Sequence, residues 1–157
     1  MSERTPSRQQ RRRWIALPEL HFALWGLLLN GAWEALQSPL YSDHARGLRY
    51  VLRTRLHCTV GDVFVVLGAF WIVSALVHDR SWWIAPRRVS VLIFVALGLA
   101  FTVGSEWLAT RVRLAWEYAP AMPLVFGLGL SPLLQWVVLP PAIVALVRRS
   151  CRPRRSS

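Results

Sequence analysis

Three carboxylic acids of this sequence stand inside long apolar stretches, where an ionisable side chain is costly. Glu34, Asp62 and Glu106 each lie within a few residues of one end of such a stretch. Placing an ionisable group at membrane depth costs roughly 2.5–3.5 kcal/mol, so each acid calls for a compensating role. Carboxylates that share a low-dielectric site can exchange a proton with a substrate, hold a cation, or pair with Arg or His. The sequence therefore predicts a polar site to which three separate segments each contribute an acid.

Other polar side chains recur around these acids at helical spacing. Asn30, Glu34, Gln37 and Tyr41 are separated by four, three and four residues, which places them along one face of a helix. Side chains on the other segments enter from the same side of the predicted bundle. We expect six residues to contact a substrate: Asn30, Gln37, Tyr41, Cys58, Tyr118 and Gln135.

The leading hypothesis is a membrane-embedded enzyme that acts on a lipid or another hydrophobic substrate. In it, Glu34 or Asp62 is the general base, Glu106 is the general acid, and His57 moves a proton. The sequence contains no P-loop, nucleophile elbow, zinc-protease helix or Cys-x-x-Cys motif. The convergence of acids, and not a known motif, carries this hypothesis.

Two other classes of function remain open at this stage. His57, Cys58 and Asp62 are chemically competent ligands, so a metal-binding membrane protein is one alternative. The other is a non-enzymatic transporter, lipid-binding protein or accessory subunit, in which the polar cluster is structural. In that case Arg55 or His57 would be the counter-ion of the acids.

Four apolar blocks must position these residues, at about 15–37, 59–77, 89–110 and 121–147. Each reaches the ~20 residues with which an α-helix crosses ~30 Å of hydrocarbon. The chain is 54% hydrophobic and its mean hydropathy is +0.35, which is unusual for a soluble domain of 157 residues. We predict an all-α integral membrane protein, a four-helix bundle over residues 15–147 between Arg-rich tails at 1–14 and 148–157.

The arginines predict how this bundle is oriented. All 19 basic residues are Arg, and 13 of them lie in the two tails and in the loop between the second and third blocks, against six in the other two loops. This bias predicts cytoplasmic N- and C-termini in a bacterial inner membrane, with the acids near the outer face. Contact of these arginines with anionic lipid headgroups also explains the positive net charge, so the sequence does not call for nucleic acid as a partner. A homo-oligomer remains open.

Local signals predict how the segments end. Pro and Gly residues should break the fourth block, with Ser131 as N-cap and Pro132 as the first residue of a helix that bends at Pro140 and Pro141. In the loop before the second block, residues 48–56 have helical apolar spacing, which suits a short helix on the membrane surface or one that caps the bundle. Trp82 and Trp83 are expected in an interfacial aromatic belt.

Overall fold

The computed structural model describes residues 17–151, in which four α-helices form a bundle. The tail at 1–14 and the end of the other tail, 152–157, lie outside the described residues. Each helix packs against two others, in a ring. The helices are α1 (Pro18–Gln37), α2 (Leu48–Leu76), α3 (Arg88–Trp107) and α4 (Leu130–Cys151).

Three segments of the described chain are long and apolar enough to cross a membrane. They are Leu48–Leu76, Arg88–Val112, which joins α3 to the π-helical turn Leu108–Val112, and Leu130–Cys151. This confirms the expectation of a helical protein with membrane-length apolar segments for these three. Helix α1 is not among them, since it also carries polar residues, most of which face the bundle interior.

Residues 48–56 do not form a separate helix, so both predictions for this segment are wrong. They are the first turns of α2, which runs unbroken for 29 residues and begins after Gly47, whose φ is +96°. The physical reason is local: there is no Gly or Pro between Leu48 and Val60 to end the helix. The second predicted block therefore begins eleven residues earlier than Thr59.

The fourth block is broken, but in a different way from the predicted cap. Strands β1 (Leu124–Val125) and β2 (Leu128–Gly129) form a small antiparallel hairpin, and α4 begins directly after it. Ser131 does not cap this helix, because it is already the second residue inside it; its hydroxyl donates to Gln37 and accepts from Trp33, both on α1. Helix α4 continues through Pro140 and Pro141 to its end.

The apolar core fills the half of the bundle nearest the start of α1 and the end of α4, here called the tail end. Trp82 and Trp83 belong to this core and are almost fully buried, so the aromatic-belt prediction is wrong for both. The ring of Trp82 packs among Phe22, Phe70 and Phe94, with ring centroids 5.7–6.2 Å apart. The turn after α2 thus packs its two Trp side chains into the core at the tail end of the bundle, where they are not exposed to a membrane surface.

Helix α1 has an exposed apolar face and a buried polar face. Leu20, Leu24, Leu28 and Leu36 are more than half exposed, whereas Asn30 is 1% exposed. Monomeric soluble proteins rarely expose contiguous apolar surface on this scale. The buried polar side chains of α1 are Asn30, Glu34 and Gln37. They lie towards the end of the bundle opposite the tail end, here called the cavity end.

Candidate functional site

A cavity of about 360 Å³ lies at the cavity end, with walls from α1, α2, α3, α4 and the connecting loops. All four predicted catalytic residues line it: Glu34, His57, Asp62 and Glu106. Of the six predicted substrate contacts, Gln37, Tyr41, Cys58 and Gln135 also line it, whereas Asn30 and Tyr118 stand behind the lining. Its apolar wall includes Phe101, Leu108, Trp116, Pro132 and Trp136.

Arg55 is the counter-ion that the sequence left undecided between Arg55 and His57. Its guanidinium contacts Asp43 at 2.5 Å and Glu34 at 3.5 Å, and all three side chains are buried. The same guanidinium lies 4.7 Å from the centre of the Tyr41 ring, a cation–π contact. A buried charge needs such partners, since its desolvation is otherwise not compensated. Glu34 is therefore held in an ion pair.

Gln135 of α4 joins the polar residues of α1 and α2. Its amide nitrogen donates to Asn30 at 2.8 Å and to Asp62 at 2.9 Å, and its carbonyl oxygen accepts from Gln37 at 3.4 Å. Gln37 in turn donates to Glu34 at 2.7 Å. Asn30 thus acts behind the cavity wall by orienting Gln135.

Glu106 of α3 is held by donors from the loops. The Tyr41 and Tyr118 hydroxyls and the Trp116 indole nitrogen all donate to its carboxylate. Burial, together with the nearby Glu106, raises the pKa of Tyr41 and of Tyr118 well above the usual value for a phenol. Both hydroxyls therefore keep their protons and donate at any physiological pH.

Two loops close the cavity end above these residues. Backbone hydrogen bonds join Ser42 to Glu117 and Ala119 to Leu40, at 3.0 and 2.9 Å. Between them Tyr41 pairs with Tyr118 as an isolated antiparallel bridge. The loops thus carry both tyrosines of the Glu106 cluster.

His57 and Cys58 are not arranged as the metal alternative needs. His57 is exposed at the edge of the cavity and Cys58 is half-buried. Within residues 17–151, no group of three or more His, Cys, Asp and Glu side chains is placed to hold a metal ion. The geometry gives the metal hypothesis no preformed ligand set.

Asp43 is the site residue that the sequence did not reveal. It lies in the 3₁₀ turn Ser42–Arg46, and in the sequence it looks like an ordinary loop acid. In the structure its carboxylate is buried and accepts a hydrogen bond from Arg55 of α2. Thr102, which is one helical turn from Glu106 on α3, and Ser105, the residue directly before Glu106, also line the cavity. The four-residue spacing of Thr102 and Glu106 places both on one face of the helix.

Replacing Gln135 with Leu should cost about 1–3 kcal/mol of unfolding free energy for each buried polar group left without a partner. Asn30 and Asp62 lose their shared donor, while the side-chain volume stays similar. Denaturant titration of the purified protein measures the loss. The neighbouring Leu134→Ala, at a half-exposed position, is the control and should change stability less. If Gln135→Leu is as stable as the unaltered protein, the hydrogen bonds of Gln135 do not stabilise the bundle.

Comparisons of the chain with protein-family models, curated proteins and solved structures give no significant match. The fold and the site together define a class, a helical bundle with membrane-length helices and a polar cavity at one end.

Proposed function

We propose that this protein crosses the membrane four times, binds a lipid or another hydrophobic molecule in its polar cavity, and acts on it by carboxylate acid–base chemistry. The observation that carries the proposal is the unequal pairing of the acids in one cavity. Glu34 has Arg55 and Gln37, and Glu106 has three donors, but Asp62 accepts a single hydrogen bond, from Gln135. Asp62 is the carboxylate with capacity left for a ligand.

These pairings support distinct roles for the predicted catalytic residues. Asp62 is the general base, because its second oxygen has no partner among the described residues. His57, also on the cavity edge, exchanges the proton with the surroundings, since its ring is exposed. Glu34 and Glu106 orient Arg55 and the two tyrosines, and so shape the polar end of the cavity.

The distribution of side chains around α1 supports the proposal of four spans. Helix α1 has 20 residues, which at 1.5 Å per residue is about the thickness of the hydrocarbon. Its leucines face outward and its polar residues face the bundle, so it can cross beside the other three helices. The arginine bias then supports cytoplasmic termini and a cavity near the outer face.

A second function is favoured because most of the buried acids already have hydrogen-bond or ion-pair partners. Glu34, Asp43 and Glu106 are all held by partners within the protein, as expected when a polar cluster is structural. In this case the cavity holds a lipid without changing it, and the protein is a lipid-binding or accessory subunit.

One experiment separates the two functions. The purified protein and Asp62→Asn, which keeps the size of the side chain and removes its basicity, are each incubated with a total lipid extract. Mass spectrometry then follows bound lipid and any new product. The enzyme proposal expects bound lipid in both proteins and a product from the unaltered protein alone. Bound lipid without any product supports the second function, and an empty cavity in the unaltered protein contradicts both.

A further inference from the structure

We infer that the cavity opens sideways into the membrane between α2 and α3, so that its ligand is a chain-bearing amphipath that enters from the bilayer. This inference rests on the proposed function and adds the route of entry and the class of ligand. It starts from the cavity lining itself, most of which is buried or half-buried. Three of its exposed members, His57, Gly61 and Phe101, lie on the facing helices α2 and α3.

The depth of this opening follows from the helix lengths. Counting about 20 residues from the tail end of α2 places the hydrocarbon boundary near His57, and the same count along α3 ends near Trp107. At 1.5 Å per residue, Gly61 then lies about 6 Å below the boundary and Phe101 about 9 Å below it. The opening is at the depth of acyl chains.

The opening is unobstructed at Gly61. A Cβ atom added at Gly61 would have no other atom within 4 Å, apart from its own helix and chain neighbours, so the space beside α2 is open at this edge of the cavity. On α3, Phe101 lines the same cavity, is half-exposed and offers an aromatic flank for an alkyl chain. Polar and apolar parts of the cavity are thus arranged for a molecule with a polar head near Asp62 and a chain that leaves between the helices.

The opposite side of the cavity, towards the loops, is largely covered. The paired loops cover that side, and the Tyr41 and Met122 side chains within them are buried. On this side, the exposed residues of the cavity lining are Arg113 and Ala115, on the loop after α3. A water-soluble ligand would have to enter past these two residues.

The test uses the full-length protein in lipid nanodiscs and a hexadecyl alcohol that carries a photoreactive diazirine beside its hydroxyl. Labelled peptides are mapped by mass spectrometry. The probe should label cavity residues of the unaltered protein. Gly61→Leu, which closes the sideways opening, should lower this labelling about tenfold, a difference of about 1.4 kcal/mol in binding. Gly68→Leu, at another open position of α2 outside the cavity lining, should leave it unchanged.

A second variant identifies the route. Leu114→Trp adds bulk to the loop side at an exposed residue that is not part of the cavity lining, and we expect it to leave labelling within about twofold, a small difference in free energy. Labelling lost in Leu114→Trp, or kept in Gly61→Leu, overturns the sideways route while the cavity still binds. No labelling of the cavity in the unaltered protein overturns the proposed function. If Gly61→Leu does not fold, Gly61→Ala and Gly61→Val, which narrow the opening in two steps, should lower labelling stepwise, and labelling unchanged in both overturns the route.

Discussion

Arg55→Leu should lower the free energy of unfolding by about 3–5 kcal/mol, because it leaves buried carboxylates without their counter-ion. The side chain serves Asp43 and Glu34 at once and lies over the ring of Tyr41. Its loss should therefore loosen the loop at Ser42–Arg46 as well as the contact between α1 and α2. Denaturant titration in detergent gives the stability, and proteolysis of that loop gives its local opening.

Two further variants show whether charge is the cause. Arg53→Leu removes an exposed arginine of the same helix, which has no ion pair or hydrogen bond within residues 17–151, and should cost little. Adding Asp43→Asn and Glu34→Gln to Arg55→Leu neutralises the stranded acids and should restore part of the stability. If Arg53→Leu and Arg55→Leu are equally stable, the buried ion pairs do not hold this end of the bundle together.

Gly98→Ala should be the most damaging single-methyl change in α3. The added Cβ would lie 1.9 Å from a ring carbon of Trp136, which is buried, so the indole must move. Overpacking of this kind typically costs about 1–3 kcal/mol. Because Trp136 also lines the cavity, ligand binding should fall together with the melting temperature. Thermal unfolding and the photolabelling described above measure the two effects.

The same helix offers a matched control. Gly104 has no atom within 4 Å of an added Cβ, apart from its own helix and chain neighbours, and Ala favours a helix over Gly by up to about 1 kcal/mol. Gly104→Ala should therefore be neutral or slightly stabilising. Combining Gly98→Ala with Trp136→Leu removes the clash and should recover part of the loss. A Gly98→Ala protein as stable as Gly104→Ala would mean that the indole does not pack over Gly98.

Hydrophobic blocks and helical spacing predicted the helices and the gathering of the acids, because both depend on local pattern. The stripe of Asn30, Glu34 and Gln37 predicted which face of α1 is turned inward, and all three are buried. Glu34 and Glu106 stand near the ends of α1 and α3 at the cavity, and Asp62 stands at the middle of the longer helix α2, which begins at Leu48. Depth along a helix can be counted from sequence, and the structure places these acids in one cavity.

Long-range pairing could not be read in the same way. Whether Arg55 or His57 meets the acids depends on which side of α2 the helix α1 packs against, since two residues correspond to a rotation of about 200° around the helix. The burial of Asp43 depends on a loop that folds onto another element. Ser131 lies inside α4 and donates to Gln37 of another helix, which its position in the sequence does not reveal. A Trp pair beside arginines has the same sequence pattern at a membrane interface as in a buried turn. The sequence alone therefore does not show that Trp82 and Trp83 belong to the core.

A crystal structure from crystals of the protein grown in a lipidic phase is the most direct test of the proposed site. We expect Glu34, Asp62 and Glu106 around one cavity, with density for a chain-bearing molecule whose polar end lies beside Asp62 and whose chain leaves between Gly61 and Phe101. Asp62 facing lipid, or a cavity filled by the protein's own side chains, would contradict the proposal.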